Sequence, residues 1–167
     1  MAAIAQFQII AGDFSDQRVL DLIRLHHARA HAASPPGSAH ALDIAGLQTP
    51  DIHFWTLWDG EDLLGIGALK RLAPHHGLGH GEVKSMHTAA VARRRGVAAA
   101  MLQHIIAHAR SSGLTRLTRL SLETGAQDYF APSRALYRRH GFVECPPYAV
   151  YRPDPNSVFM TLELPAA

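Results

Sequence analysis

Three consecutive arginines stand directly before a glycine at the start of an alanine-rich segment, VARRRGVAAAML, at residues 91–102. A helix N-terminus carries unpaired N–H groups and about half a positive charge, so arginines raise the electrostatic energy there. A bound polyanion that accepts from both the backbone N–H groups and the guanidinium groups removes this conflict. The small residues Gly96 and Ala98 leave room for a phosphate beside the backbone. We therefore expect a pyrophosphate-bearing ligand at this position.

The segments on either side of this loop predict the elements that would hold it. EVKSMHT, at residues 82–88, alternates in polarity like a strand, and it follows two further strand candidates at 53–58 and 64–72. Residues 96–110 predict a helix that Gly113 ends. The apolar face of that helix comprises Ala98, Met101, Leu102, Ile105 and Ala109. The loop therefore joins a sheet strand to a helix.

The whole chain alternates strand and helix patterns, which predicts an α/β fold with a mixed sheet. A strand at 7–10 and a helix over 15–33 precede a loop that runs to about Pro50, and turn residues at 74–81 separate the second and third meander strands. A strand at 116–124, a short helix at 132–140 and two final strands complete the order. Residues 1–167 fit a single domain.

Composition limits the function classes. The chain has 167 residues, 47% of them hydrophobic, and a formal net charge of only +2, which gives no support for a nucleic-acid partner. Cys145 is the single cysteine, so no internal disulfide forms. Neither a signal-peptide pattern nor a long apolar run is present, so we expect a cytoplasmic protein that does not span a membrane.

Two motifs resemble the GNAT superfamily of N-acetyltransferases. RRRGVA, at residues 93–98, is similar to its [Q/R]-x-x-G-x-[G/A] signature, and SRALYRRHGF, at 133–142, is similar to its A-x-x-L-Y-x-x-x-G-F segment. The resemblance covers nearly the whole chain. Further stretches, including GEVKSM and RLSLETG, resemble a bacterial branch described as indole-3-acetic acid acetyltransferase-like. This likeness implies a single-domain fold whose central sheet has about seven strands, splayed in the middle and flanked by about four helices.

The resemblance also implies acetyl-CoA as cosubstrate and a small amine or peptide amine as acceptor, with no metal. In this family the arginine–glycine loop grips the pyrophosphate, and the bulged strand before it pairs with pantetheine and offers an N–H to the carbonyl oxygen. The cofactor-binding residues carried over are Met86, His87, Thr88, Arg93, Arg94, Arg95, Gly96, Val97, Ala98, Ala99, Ser133 and Tyr137. Phe130 stands where many members have a pantetheine-binding asparagine. The superfamily also contains many homodimers.

The resemblance assigns two catalytic residues. Tyr137 aligns with the tyrosine that protonates the departing thiolate, and Glu82 aligns with the general base of the histone-acetylating members. His87 is either an alternative base, which the strand bulge aims into the cleft and whose ordinary pKa suits the task, or a residue that covers the opposite face of the sheet. Glu123 is either a site residue that holds a cationic acceptor or a surface glutamate.

Other interpretations stay open at this point. A protein of this fold that binds acyl-CoA without transferring it is the main alternative function. Nucleic-acid binding through the arginines conflicts with the small net charge. His104 and His108 have the i, i+4 spacing of a helical zinc pair but lack the glutamate of H-E-x-x-H, so we expect them on a solvated face.

Overall fold

The computed structural model describes residues 6–112 and 117–164. The strands are β1 (Gln8–Ala11), β2 (Ile52–Asp59), β3 (Asp62–His75), β4 (Leu78–Thr88), β5 (Arg119–Gly125), β6 (Val143–Glu144) and β7 (Ser157–Glu163). The helices are α1 (Gln17–Ala33), α2 (Ile44–Leu47), α3 (Val97–Ser111) and α4 (Ala131–Arg139). The strands form one mixed sheet in the order β1-β2-β3-β4-β5-β7-β6. This confirms the predicted α/β fold.

Each face of the sheet is covered by helices. On one face α3 and α4 pack over a core that includes Met101, Leu102 and Ile105. On the other face α1 and α2 pack over a smaller core. Trp55 belongs to the first core and Trp58 to the second, as expected for side chains three positions apart in a strand. Two separate cores therefore fix the sheet from both sides.

The meander strands are longer than the sequence predicts. The segment interpreted as a turn, residues 74–81, is mostly strand, because β3 runs to His75 and β4 begins at Leu78. Pairing of Leu72 with His80 carries the ladder through it. Only His76 and Gly77 remain as the turn, both with positive φ, at 49° and 77°. The predicted helix-ending residue Gly113 lies outside the described residues.

The sheet opens between β4 and β5. These parallel strands pair only from His80 opposite Arg119 to Glu82 opposite Ser121. Beyond that point β4 continues to Thr88 and β5 to Gly125 without pairing to each other. A hydrogen bond of 2.7 Å between His80 Nε2 and Ser121 Oγ lies at the vertex. This confirms the predicted splay and leaves a wedge-shaped opening in the middle of the sheet.

A β-bulge changes the direction of β4 just past the vertex. Ala68 of β3 pairs with Lys84, and Ile66 pairs with His87, so β4 uses one residue more than β3 over the same span. Ser85 has a φ of +55°, which is uncommon for a residue with a side chain. The bulge therefore lies at Ser85 and Met86, at the start of the segment for which it was predicted.

The loop after α1 carries the short helix α2, which the sequence did not reveal. Asp43 caps it by accepting a hydrogen bond of 2.8 Å from the Gly46 N–H. Within the described ranges, no helix is long and apolar enough to cross a membrane.

Candidate active site

A cleft occupies the opening between β4 and β5. Residues 83–86 of β4 and 123–125 of β5 form its sides, and α1 with residues 38–41 covers it from one face of the sheet. Ser133 and Tyr137 of α4 complete the lining from the other direction. About 640 Å³ lies between these walls, counting the part that opens to solvent. The splay therefore creates the space for a ligand that crosses the sheet.

Glu123 places a carboxyl group with a raised pKa in this cleft. Its side chain lines the cleft from β5 and is half-buried. Burial raises the pKa of Glu123 to about 7, and the negative charges of Glu82 and Asp154 add to this effect against the opposing charge of Lys84. An acid with this pKa exchanges a proton near neutral pH, as general bases do. Of the two interpretations of Glu123, the structure favours the site residue.

Tyr137 reaches the cleft from α4. Its side chain is 6% exposed and its ring packs edge-on against Phe142 at 5.8 Å. Burial, and then the nearby charge of Glu123, raise the pKa of the Tyr137 phenol above its usual value. The phenol therefore stays protonated at neutral pH and is available as a proton donor.

Glu82, the other predicted catalytic residue, lies behind the cleft wall. It is 3% exposed, and its Oε2 accepts hydrogen bonds of 2.6 Å from both Tyr148 and Tyr151. Its Oε1 lies 3.5 Å from the Lys84 ammonium. Burial and the charge of Glu82 raise the pKa of both phenols. The structure thus surrounds this carboxylate with donors and keeps it off the cleft surface.

The tyrosine pair was not identified from the sequence. Tyr148 and Tyr151 lie in the segment between β6 and β7, more than sixty positions from Glu82. A helical or strand pattern gives no signal for such a contact. The bonds nevertheless anchor this segment against β4, and Tyr151 also stacks edge-on with His40 of the loop after α1.

The bulged part of β4 exposes backbone toward the cleft. His87 and Thr88 pair with β3 on one side, and beyond Glu82 no strand pairs with the other side of β4 among the described residues. Met86 lines the cleft. The Ser85 side chain, 8% exposed, lines it as well, and its Oγ has no hydrogen-bond partner within the described ranges. Buried polar groups normally have partners, and a ligand in the cleft would be such a partner for this hydroxyl.

The loop before α3 has the geometry of an anion site. Gly96 caps α3 with φ +78° and ψ 14°, and no side chain caps this end. A Cβ added at Gly96 would meet nothing within 4 Å. The first turn of α3 contains no acidic residue, and Arg93 and Arg94 are exposed beside it. Val97 is buried, whereas Ala98 and Ala99 are half-buried. The loop therefore offers backbone N–H groups and the exposed side chains of Arg93 and Arg94 to an anion.

Arg95, predicted to grip the same anion, is directed elsewhere. Its guanidinium donates to Asp59 Oδ2 at 2.7 Å and lies 5.9 Å from the Phe7 ring centroid. Asp59 ends β2, so this ion pair connects the loop to the sheet edge. In this structure Arg95 holds the loop in place rather than facing the open space at Gly96.

His87 is paired with a second histidine. Its Nδ1 lies 3.1 Å from His26 Nδ1 of α1. Burial, together with the positive charges of Arg29 and Arg93, lowers the pKa of His87 to about 4, and burial lowers that of His26 to about 3. Both rings are therefore neutral at neutral pH, and His87 is a weak base for removing a proton from an ammonium.

The histidines of α3 do not lie on a solvated face. His104 and His108 each contact the Trp55 ring edge-on at 5.0 Å, and His53 lies 4.7 Å from His108. Our expectation of a solvated face was wrong, because both histidines pack against Trp55 of β2 and are half-buried. This cluster lies on the α3 side of the sheet, apart from the cleft.

Comparisons with known proteins agree with this geometry. The model of the Acetyltransferase (GNAT) family matches residues 19–142. An uncharacterized N-acetyltransferase, YsnE of Bacillus subtilis, is 47% identical over 91% of this chain and 96% of its own. The IAA acetyltransferase of Azospirillum brasilense is 39% identical over 75% of this chain and 77% of its own.

A solved structure shares the fold. The structure of a proposed acyl-CoA N-acyltransferase from Klebsiella pneumoniae superposes with a TM-score of 0.75 and 26% identity, over 96% of this chain and 99% of that one. The splayed sheet, the arginine–glycine loop before α3 and the matched family model have one explanation: the chain belongs to the acetyltransferase (GNAT) family.

Proposed function

We propose that this protein transfers the acetyl group of acetyl-CoA to the amine of a small molecule, by direct attack while both substrates are bound. The observation that carries the proposal is that Glu123, whose pKa is about 7, and the protonated phenol of Tyr137 line the same cleft at the sheet opening. One group is suited to take a proton and the other to give one near neutral pH.

The described residues fit the cosubstrate. The open space at Gly96, the N–H groups of the first turn of α3 and the side chains of Arg93 and Arg94 suit a pyrophosphate. The unpaired side of β4 at 86–88 suits the amides of pantetheine, which would add to the sheet in strand fashion. Ser133 lies in the cleft lining beside Tyr137. Acetyl-CoA would supply the acetyl group there as a reactive thioester.

Proton transfer in the cleft balances the reaction. The Glu123 carboxylate takes a proton from the acceptor ammonium, which frees the nitrogen lone pair to form the new bond to the carbonyl carbon. As the carbon–sulfur bond breaks, the Tyr137 phenol gives its proton to the departing sulfur, and the second proton that the nitrogen loses on becoming an amide restores the phenol. A backbone N–H near Met86 would donate to the carbonyl oxygen. We assign the base role to Glu123 rather than Glu82, because Glu82 is already bonded to two phenols behind the wall.

The acceptor is proposed to be a small amine. Ser38 Oγ donates to Asp154 Oδ2 at 2.7 Å, so the loop after α1, which lines the cleft at residues 38–41, is tied to the segment between β6 and β7. A wall fixed in this way favours compact acceptors. The Azospirillum relative is named for indole-3-acetic acid, which has no basic amine. A general base at Glu123 is needed only when the acceptor binds as an ammonium, so a basic amine fits this site better.

Two measurements test the proposed function. Acetyl-CoA at a hundred times its Kd should add about 2.7 kcal/mol to the free energy of unfolding. The melting temperature of the protein should therefore rise. A thiol-release assay over a panel of small amines should then detect turnover. Thiol release with at least one amine supports the proposal. Binding without turnover on every amine would replace it with an acyl-CoA-binding role, and absence of binding would contradict both.

Replacing Tyr137 by phenylalanine tests the proton donor. We expect kcat to fall about 10- to 100-fold, at the low end for general acids because a thiolate is already a fair leaving group. The ring contact with Phe142 is kept, so the Kd of acetyl-CoA should change less than about twofold. The measurement is steady-state kinetics with calorimetric titration of acetyl-CoA.

Tyr129→Phe is the matched control, because Tyr129 is 44% exposed and outside the cleft lining. It should retain the parent kcat. An unchanged kcat in Tyr137→Phe would show that the phenol does not protonate the thiolate.

A further inference from the structure

The two strands that part at the cleft carry opposite charges just beyond the vertex. Lys84 of β4 and Glu123 of β5 each lie two residues past the last pair, Glu82 opposite Ser121, so their side chains leave the same face of the sheet. Both line the cleft. We propose that the acceptor is an amino acid or a similar small compound that carries a carboxylate as well as its amine. This inference rests on the proposed function and names its substrate class.

Lys84 is held in position by its neighbours. Its side chain is 10% exposed, and its Nζ donates to Tyr151 Oη at 3.1 Å and lies 3.5 Å from Glu82 Oε1. The two short bonds to Glu82 come instead from the phenols, on the other carboxylate oxygen. Glu82 therefore pairs with Lys84 through Oε1, while the two phenols bond to Oε2 of the same carboxylate. An ammonium has three hydrogens to donate, so Lys84 can also bind an anion in the cleft.

Ser85 adds a second donor beside Lys84. Its residue is more than nine-tenths buried, it lines the cleft, and its Oγ has no partner within the described ranges. Its φ of +55° at the bulge is a backbone conformation that residues with a side chain seldom adopt. An unsatisfied hydroxyl and an ammonium that line one cleft are two donors from which the oxygens of a carboxylate can accept.

Charge selects among the possible acceptors. The amine of a zwitterion would lie toward Glu123 and its carboxylate toward Lys84 and Ser85, so each charge meets its opposite. A polyamine would bring a second positive charge toward Lys84. The α-amine of a polypeptide is followed by a neutral amide instead of a carboxylate. The Lys84 ammonium would then have no anionic group of the acceptor to bind. Free amino acids therefore fit this cleft better than either class.

A paired acceptor panel tests the inference. Each free amino acid is compared with its own carboxamide and with the amine that lacks the carboxyl group, by thiol release under identical conditions. We expect kcat/KM for the acid to exceed that for the carboxamide by about 10- to 100-fold, the range for hydrogen bonds to a charged group. The preference should appear mainly in KM, because this contact is made equally before and during the reaction.

Lys84→Met is the matching variant. It should reduce the preference for acid over carboxamide to less than about threefold, with the KM of acetyl-CoA nearly unchanged. Lys70→Met is the control, because Lys70 is the other lysine of the chain and pairs with Ile52 of β2 outside the cleft lining. Ser85→Ala leaves the Lys84–Glu82–Tyr151 contacts in place and should lower the preference about threefold or more.

The outcomes separate this inference from the proposed function. Equal turnover of acids and carboxamides, or an equal loss on both in Lys84→Met, overturns the carboxylate site and leaves acetyl transfer standing. Turnover confined to simple amines has the same meaning. Absence of thiol release with every compound overturns both. A preference for acids that Lys84→Met removes and Lys70→Met retains supports the assignment.

Discussion

Replacing Glu123 by glutamine lowers kcat/KM by about 10²- to 10⁴-fold, the usual contribution of a positioned general base. Glutamine has nearly the same shape and still fits the cleft wall, but it does not take up a proton. The loss should appear in kcat as well, because proton removal contributes only during the reaction. Stopped assays with saturating acetyl-CoA and a reactive amine measure it.

The dependence of kcat/KM on pH tests the same role of Glu123. The base works only as a carboxylate, so kcat/KM of the parent enzyme should fall as the pH drops below about 7, the pKa of Glu123. The Glu123→Gln variant should lose that inflection.

The pKa of Glu123 in the folded protein is raised above the ordinary value of 4.5, so ionisation is harder in the folded protein, and stability falls as the pH rises from about 4.5 to 7. The variant should therefore melt higher than the parent at pH 8.

Glu82→Gln distinguishes the two carboxylates. It removes a negative charge that raises the pKa of Glu123, so the inflection should move to lower pH but persist. Glu144→Gln, at an exposed position of β6, is the neutral control. If the inflection disappears in Glu82→Gln and survives in Glu123→Gln, then the base is Glu82, as the sequence resemblance predicts.

The sequence predicts the frame of the site because that frame is local. The arginine–glycine loop, the strand before it and the helix after it lie within residues 78–111, where periodicity and glycine placement are informative. The L-Y-x-x-x-G-F motif likewise places Tyr137 at the cleft through one short helix. Short-range sequence patterns predict these elements, and the structure contains them.

The chemistry of the carboxylates does not follow from such patterns. Glu82 and Glu123 are both strand glutamates in the sequence, and only distant residues make them different. The phenols of Tyr148 and Tyr151 bury one of them, whereas the parting of β4 from β5 leaves the other in the cleft. Burial and partner, rather than residue type, set the pKa of each group.

Arg95 shows the same limit for the anion loop. Within the sequence it is equivalent to its two neighbours, but Asp59, thirty-six positions earlier, takes its guanidinium. The positive φ of Arg94, 64°, and of Gly96, 78°, turns the chain between these side chains. Of three identical residues, one therefore fixes the loop and two stay exposed beside α3.

Gly96→Glu should abolish measurable binding of acetyl-CoA. A Cβ there faces the open space that a phosphate would fill, and the added carboxylate brings a like charge to the same point. Like charges in contact cost several kcal/mol, so we expect the Kd to rise at least about a hundredfold. Calorimetric titration measures the Kd, and circular dichroism compares the melting temperatures.

Backbone strain must be separated from this effect, since a glutamate at φ +78° is strained even without a ligand. Gly77→Glu provides the comparison, because Gly77 has a φ of +77° and also meets nothing within 4 Å, in the turn between β3 and β4. The two variants should lose similar stability, about 1 kcal/mol, while only Gly96→Glu loses the ligand. Equal affinities in both would place the pyrophosphate away from α3, because strain alone would then account for everything the substitution at Gly96 does.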